Sequence, residues 1–412
     1  MQENKLDVKK TLLLSFGFFA SSIAWSVYNS FVPQILEGFI KSTTLIGFIM
    51  TFDNIFGVVF QPLFGKLSDK TRTRFGRRMP YIFIGLPICA AAFTLIPQMN
   101  SLWSLMAVLI VFTFVMSAWR SPVVALMPDI TPGPMRSQAN GIVNLMGGLG
   151  SLIAFFAGGL LFKAGGFPLP FLMSAVMMIV ALAVLALFVR EPKHAYEPEE
   201  KSEKTDIKLT KEERKSLLLI LFGVFFWFTG YNAVETFFTL YATNTLGVDA
   251  GDAAMTLSIF SLTFLAFAVP AGFIAAKTGR RSAILIGLSG LVVLFLPMIF
   301  LTNIWLTRAC LFLGGFFWAM VNINSLPMVV RLSGAEKVGA YVGYYYFFSF
   351  SSQIVSPILF GFIRDLVGHY KVLFLYACIA FLLAGLSLFF VRHGEDNMEP
   401  VSASQILESL DD

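Results

Sequence analysis

Cysteine is scarce in this 412-residue chain: Cys89, Cys310 and Cys378 are all that it has, each inside an apolar run and far from the others. They read as small hydrophobes, and their spacing excludes a disulfide framework or a thiolate metal site. Histidine is equally rare. His194, His369 and His393 fall in loops or at the ends of apolar runs, with no metal-ligand spacing and no partnered nucleophile. That argues against an integral-membrane enzyme, and no cofactor is implied. Charged residues make up only 13% of the chain, against roughly a quarter in soluble domains.

Apolar residues fill the gap. They are 57% of the sequence and include 45 Phe, more apolar surface than a water-soluble core can hide. The solvent must be lipid. A membrane-crossing helix needs about 20 mainly apolar residues, and twelve such runs are present. They cover about 11–36, 42–67, 80–98, 101–127, 138–163 and 169–190, then 216–244, 251–276, 282–302, 304–330, 338–363 and 370–392. The first run is too long for a signal-peptide core and lacks a small-residue cleavage site, so it counts as a span.

The net charge of +5 does not point to nucleic acid, because the basic residues alternate from loop to loop. Of the 30 Lys and Arg, 24 fall at the termini and in the loops after even-numbered spans. Only Lys41, Lys163, Arg364 and Lys371 lie on the other side. Basic loops stay in the cytoplasm, which predicts a multi-pass protein of the cell membrane with both termini inside.

The basic loops also repeat. Gly65-Lys66-Leu67-Ser68-Asp69-Lys70 leads through Arg72 and Arg74 to Gly76-Arg77-Arg78. A shorter form, Gly272 to Lys277-Thr278-Gly279-Arg280-Arg281, returns 207 residues later. Pro128-Asp129 through Arg136 is likewise answered by Pro327 through Arg331. The predicted domains are a six-helix bundle over 1–190, a charged cytoplasmic linker over 191–215 and a second six-helix bundle over 216–412. Such parallel repeats, with a solute site between them, describe an alternating-access transporter acting as a monomer within the bilayer. Gly150, Ala154 and Gly158 form a small-residue stripe in span 5, suited either to static helix packing or to a rocking interface.

On these residues the chain resembles the major facilitator superfamily, whose signature joins helices 2 and 3. The second copy carries Ala276 where the signature has Asp. The first copy keeps Asp69 and adds Arg72 to Phe75. The lengthened loop, with Gln61-Pro62-Leu63-Phe64-Gly65, Ala125-Leu126-Met127-Pro128-Asp129 and the stretch from Trp227 to Tyr241, is similar to glycoside–pentoside–hexuronide and sucrose-type symporters. The resemblance implies a sugar:cation symporter fold, with coupling acids on helices 2 and 4. Asp53 matches the first of these, while span 4 has no mid-membrane acid.

The signature has a physical reading of its own. Asp69, where a helix leaves the membrane, can pair with Arg77 and Arg78 or a neighbouring helix end, forming a latch that biases a two-state equilibrium. Gly65, Gly272, Arg280 and Arg281 join these as gating residues, and Ala276 predicts a latch strong only in the first half.

Ionisable residues inside spans cost about 3 kcal/mol each on insertion scales, so they mark function. Asp53, Glu235 and Arg120 are the deep ones; Arg308 is near a span end and can snorkel. Asp53 shares a helix face with Gly57 and Gln61, and Glu235 shares one with Trp227 and Tyr231. Trp25, Tyr28 and Asn29 cluster in span 1, Trp318 and Asn322 in span 10, and Tyr346 and Gln353 in span 11. Rings beside amides and carboxylates suit a sugar, whose C–H faces pack on rings and whose hydroxyls need many partners. A carboxyl group away from water favours its neutral form, so Asp53 or Glu235 can carry H⁺ as access alternates, or either can ligate Na⁺.

Two transport functions follow: cation-coupled uptake of a glycoside or other sugar, and proton-coupled efflux of a lipophilic small molecule, which the Phe-rich spans and few buried charges also fit.

Overall fold

The computed structural model describes residues 6–132, 135–191, 210–331 and 338–391. Most of the expected linker, 192–209, lies outside them, as do His194 and His393. Among the described residues there are thirteen α-helices and no strand. They are α1 (Val8–Glu37), α2 (Thr43–Met50), α3 (Phe52–Lys70), α4 (Met79–Leu95), α5 (Leu102–Ile130), α6 (Arg136–Gly165) and α7 (Pro168–Phe188). After the linker come α8 (Lys211–Tyr241), α9 (Ala250–Thr278), α10 (Arg280–Met298), α11 (Ile304–Arg331), α12 (Val338–Val367) and α13 (Val372–Phe389).

Among the described residues twelve spans are long and apolar enough to cross a membrane, and they match the twelve apolar runs to within a few residues. Thirteen helices make twelve spans because the second span, Thr43–Lys70, is interrupted at Thr51. There the Thr51 amide and hydroxyl both bond back to the Phe48 carbonyl, at 3.1 and 2.7 Å. This local i→i+3 turn tightens the backbone two residues before Asp53.

Short polar signals set the ends. Asp7, Ser42 and Ser101 cap α1, α2 and α5 by accepting from amides three residues on. The second glycine of each signature copy takes a conformation that side chains disfavour: Gly76 has φ +110° and Gly279 φ +87°. Gly279 thereby turns α9 directly into α10.

The chain divides into two compact units. One comprises Met1–Lys201, Glu235–Ser261 and Pro357–Tyr370; the other comprises Ser202–Val234, Leu262–Ser356 and Lys371–Asp412. The first therefore holds α1–α7 together with the last turns of α8, the first turns of α9 and the end of α12.

Within it the span 5 stripe packs α6 on α1. A Cβ at Gly150 would stand 2.6 Å from the Phe19 carbonyl, Ala154 is buried, and Gly158 faces Val27 and Phe31. The stripe thus packs within one unit, which is the static reading of the two.

The same unit ties segments far apart in sequence. Asp365 near the end of α12 accepts from the Thr43 and Thr44 amides at 2.8 and 2.9 Å and from the Ser42 and Thr44 hydroxyls at 2.7 and 2.8 Å. Glu37 accepts from Asn244 Nδ2 at 3.1 Å and from the Tyr370 hydroxyl at 3.0 Å. Lys163 pairs with Asp252 at 2.8 Å. Gly47 lies against the Pro357 carbonyl and Gly361 against that of Thr43, contacts with no room for a side chain.

Candidate functional site

Two groups of polar residues stand out in the first unit. The first is the signature loop between α3 and α4. Arg78 is 4% exposed and spends its guanidinium on four groups. Its Nε donates to Asp129 Oδ2 at 2.9 Å, and Nη2 meets Asp69 Oδ1 at 2.5 Å. Its Nη1 donates to the Gly65 carbonyl at 3.3 Å and the Ser68 hydroxyl at 2.5 Å. Arg77 takes the other Asp129 oxygen at 2.7 Å and lies 3.4 Å from Glu191. Glu191 Oε2 in turn accepts from both the Arg77 and Arg78 amides at 2.9 Å, capping the entry to α4.

The loop is thus a five-residue charge network in which one carboxylate, Asp129, is clamped by two arginines. Sequence reasoning anticipated the pairing of Asp69 with an arginine, but Arg77 turns to Asp129 and Glu191 instead. Asp69 is the outermost member, with its side chain 54% exposed. Asp129 stood in the Pro128-Asp129 motif and Glu191 opened the expected linker; neither was assigned a partner.

The second copy, in the second unit, keeps the geometry and replaces the acids. Arg280 donates to the Pro327 carbonyl at 3.2 Å, and Arg281 to the Leu388 and Phe389 carbonyls at 3.0 and 2.7 Å. Pro327 and the end of α13 correspond in the repeat to Pro128-Asp129 and the segment after α7. Helix-end carbonyls do the work of carboxylates there, with less charge. Gly65 lies 3.1 Å from the Ser121 hydroxyl by its would-be Cβ, whereas Gly272 faces open space.

The second group lies midway along the spans. Asp53 on α3, Arg120 on α5 and Glu235 on α8 are each half-buried, and all belong to the first unit. Asp53 interacts electrostatically with both Arg120 and Glu235. Its Oδ1 accepts from the Asn54 amide and side chain at 2.7 and 2.8 Å. The Asn29 side chain interacts with Glu235. Among the described ion pairs none closes on Asp53, Arg120 or Glu235. Asp53 is thus coupled to one acid and one base without a described ion pair to either.

Aromatic rings of α1 and α5 stand beside them. Tyr28 is fully buried, stacks on Phe112 at 5.8 Å and meets the edge of Trp25 at 5.5 Å. Tyr28 also feels the Asp53 charge. Gln61, half-buried on the Asp53 face of α3, folds back over Gly57, whose would-be Cβ is 3.1 Å from its amide nitrogen.

Trp25, Tyr28, Asn29, Asp53, Gln61, Arg120 and Glu235 share one compact unit, so Glu235 is parted from the Trp227 and Tyr231 that share its helix face. Trp227, Tyr231, Asn322, Tyr346 and Gln353 belong to the other unit. There Tyr231 stacks on Trp318 with ring centroids 4.3 Å apart and planes 3° from parallel. Trp227 is fully buried beside Gly223, and Tyr346 is 46% exposed and stacks on Phe350. Among the described residues no cluster of three or more His, Cys, Asp or Glu could hold a metal.

Known proteins resemble this chain over much of its length. The chain is 24% identical over 302 residues to tetracycline resistance protein class H of Pasteurella multocida, covering 69% of this chain and 72% of that one. It is 29% identical over 205 residues to multidrug resistance protein MdtG of Proteus mirabilis, covering 48% and 49%, so it spans about half the length of that relative. A solved nucleoside transporter, NupG, shares the fold with a TM-score of 0.71 at 13% identity, over 93% of this chain and 100% of that one. These curated relatives are drug-resistance proteins, where the sequence motifs resembled sugar symporters. The family model described as Major Facilitator Superfamily matches residues 14–255 and 236–410, and the chain belongs to that superfamily of transporters.

Proposed function

We propose that this protein is a secondary transporter that works by alternating access and exports lipophilic, ring-containing small molecules in exchange for protons. The observation that carries the reading is the trio Asp53, Arg120 and Glu235. These are ionisable groups far from the span ends, with Asp53 coupled electrostatically to the other two and none of the three in a described ion pair. Groups so placed are costly unless they titrate or meet a charged or polar partner during the cycle. Beside Asp53 stands Tyr28, packed with Trp25 and Phe112 in an aromatic cluster, which suits a flat apolar solute. Similarity to tetracycline and multidrug resistance proteins supports the same choice. The alternation of basic loops supports a cell-membrane location with both termini in the cytoplasm.

Sugar uptake is the second reading, favoured by Asn29 and Gln61 beside the rings and by the lengthened signature loop. Proteoliposomes with an imposed pH gradient distinguish the two. The expected result is proton-driven movement of a lipophilic dye with no accumulation of a radiolabelled disaccharide. Disaccharide accumulation without dye movement would reverse the assignment.

A further inference from the structure

The wall of rings beside Asp53 is short of acceptors. Several buried hydroxyls in these helices satisfy themselves locally: Ser15, Ser117, Ser174 and Thr229 each donate to the carbonyl four residues back, while Ser30 and Thr239 find no partner among the described residues. Indole N–H and phenol O–H groups cannot reach their own helix and need an outside partner. Trp119 finds Cys89 Sγ at 3.3 Å, Tyr370 finds Glu37 at 3.0 Å, and Tyr345 meets the Ser325 hydroxyl at 2.9 Å. Trp25 Nε1 and Tyr28 Oη find none among the described residues, although both atoms are buried. Trp227 Nε1, in the second unit, also lacks one, with no second such group described beside it.

Trp25 and Tyr28 cannot easily swing to a partner. They pack edge to face on each other, and both pack on Phe112 at 5.7 and 5.8 Å. Phe112 is backed by Phe93 at 4.8 Å. An unpaired buried donor is costly to keep, and two neighbours held rigidly in that state are poised for something that arrives.

We infer that Trp25 Nε1 and Tyr28 Oη read an acceptor oxygen on the solute, and that they make this transporter prefer planar molecules carrying carbonyl or oxyanion groups over planar cations without them. The inference rests on the reading that the substrate is ring-containing and lipophilic. It adds which polar feature is recognised, and by which atoms.

The test uses detergent-purified full-length protein and two planar probes. Anthraquinone-2-carboxylate carries acceptor oxygens, and 9-aminoacridine, protonated at neutral pH, has none. Trp25→Phe and Tyr28→Phe keep a ring and delete the donor. Each should weaken the anthraquinone by roughly three- to tenfold, the size of one hydrogen bond, and leave 9-aminoacridine unchanged. Without probe, Tyr28→Phe, which keeps the ring, should melt about 1–3 °C higher than wild type, because an unpaired buried donor has gone. A role confined to packing predicts the opposite sign.

Equal loss for both probes, unchanged binding of both, or a lower melting temperature in Tyr28→Phe would overturn the inference while leaving the aromatic-substrate reading intact. Failure of wild-type protein to bind either probe would remove that reading, and the inference with it.

Discussion

The Asp365 carboxylate accepts a hydrogen bond at 2.8 Å from the backbone amide of Thr43, 322 residues earlier in the chain. Three more donors from Ser42 and Thr44 complete the contact, so an acid at the end of α12 serves as the N-terminal cap of α2. A carboxylate at a helix start meets both the free amides and the positive end of the helix dipole.

Replacing Asp365 with Ala should therefore cost about 1–2 kcal/mol, the usual worth of such a cap. Asp365→Asn, which keeps the acceptor and loses the charge, should cost less. Thermal melts of the purified variants measure both. Wild-type stability in Asp365→Ala would mean that the cap contributes nothing.

Arg78 and Arg77 differ in what they leave behind. Arg78→Ala leaves Asp129 to Arg77 alone and removes at once the donors to Asp69, Ser68 and the Gly65 carbonyl, and losing a buried member of a charge network costs about 3–5 kcal/mol. Arg77→Ala leaves Asp129 still bonded to Arg78 and should cost less than half as much. Arg78→Lys should not rescue, since one ammonium cannot serve four groups in a plane. Expression and melting temperature rank the three; Arg77→Ala as the worst would contradict the network.

Gly76 meets two constraints where Gly247 meets one. Both have positive φ, but Gly247 at φ +67° has open space, while a Cβ at Gly76 would strike the Glu191 carboxylate. Gly247→Ala should cost about 1 kcal/mol from backbone strain alone. Gly76→Ala should cost more and displace Glu191. Equal melting temperatures would show that Glu191 can give way freely.

Asp53→Asn should abolish proton-driven accumulation in proteoliposomes and leave solute exchange at equal concentrations on both sides. Glu235→Gln is the companion, and should alter the pH profile of transport. Full active uptake by Asp53→Asn would remove that carboxylate from the coupling.

The spans were legible because lipid imposes one rule on every residue facing it, and twelve long apolar runs follow from that rule alone. The helix faces were legible too, since helical spacing by itself puts Asp53 with Gln61 and Trp25 with Tyr28. The pairing of Arg77 with Asp129 and Glu191 was not, because contacts between residues 52 and 114 positions apart leave no mark in local spacing. The break at Thr51 escaped for another reason: a single threonine hydroxyl bonding back to Phe48 looks, in sequence, like any threonine in an apolar helix. Efflux was half legible: the Phe-rich spans and few buried charges allowed it as the second reading, while short loop motifs pointed to one branch of the superfamily and similarity over longer stretches to drug-resistance proteins.

Glu191 is at once the last described residue before the connector between the two sets of six spans and the cap of the signature loop. The end of the first set of six spans is therefore moored to the loop through Glu191. A protease cut beyond residue 191 should spare the mooring, whereas an insertion between α7 and Glu191 should slip it and disorganise the loop from a distance.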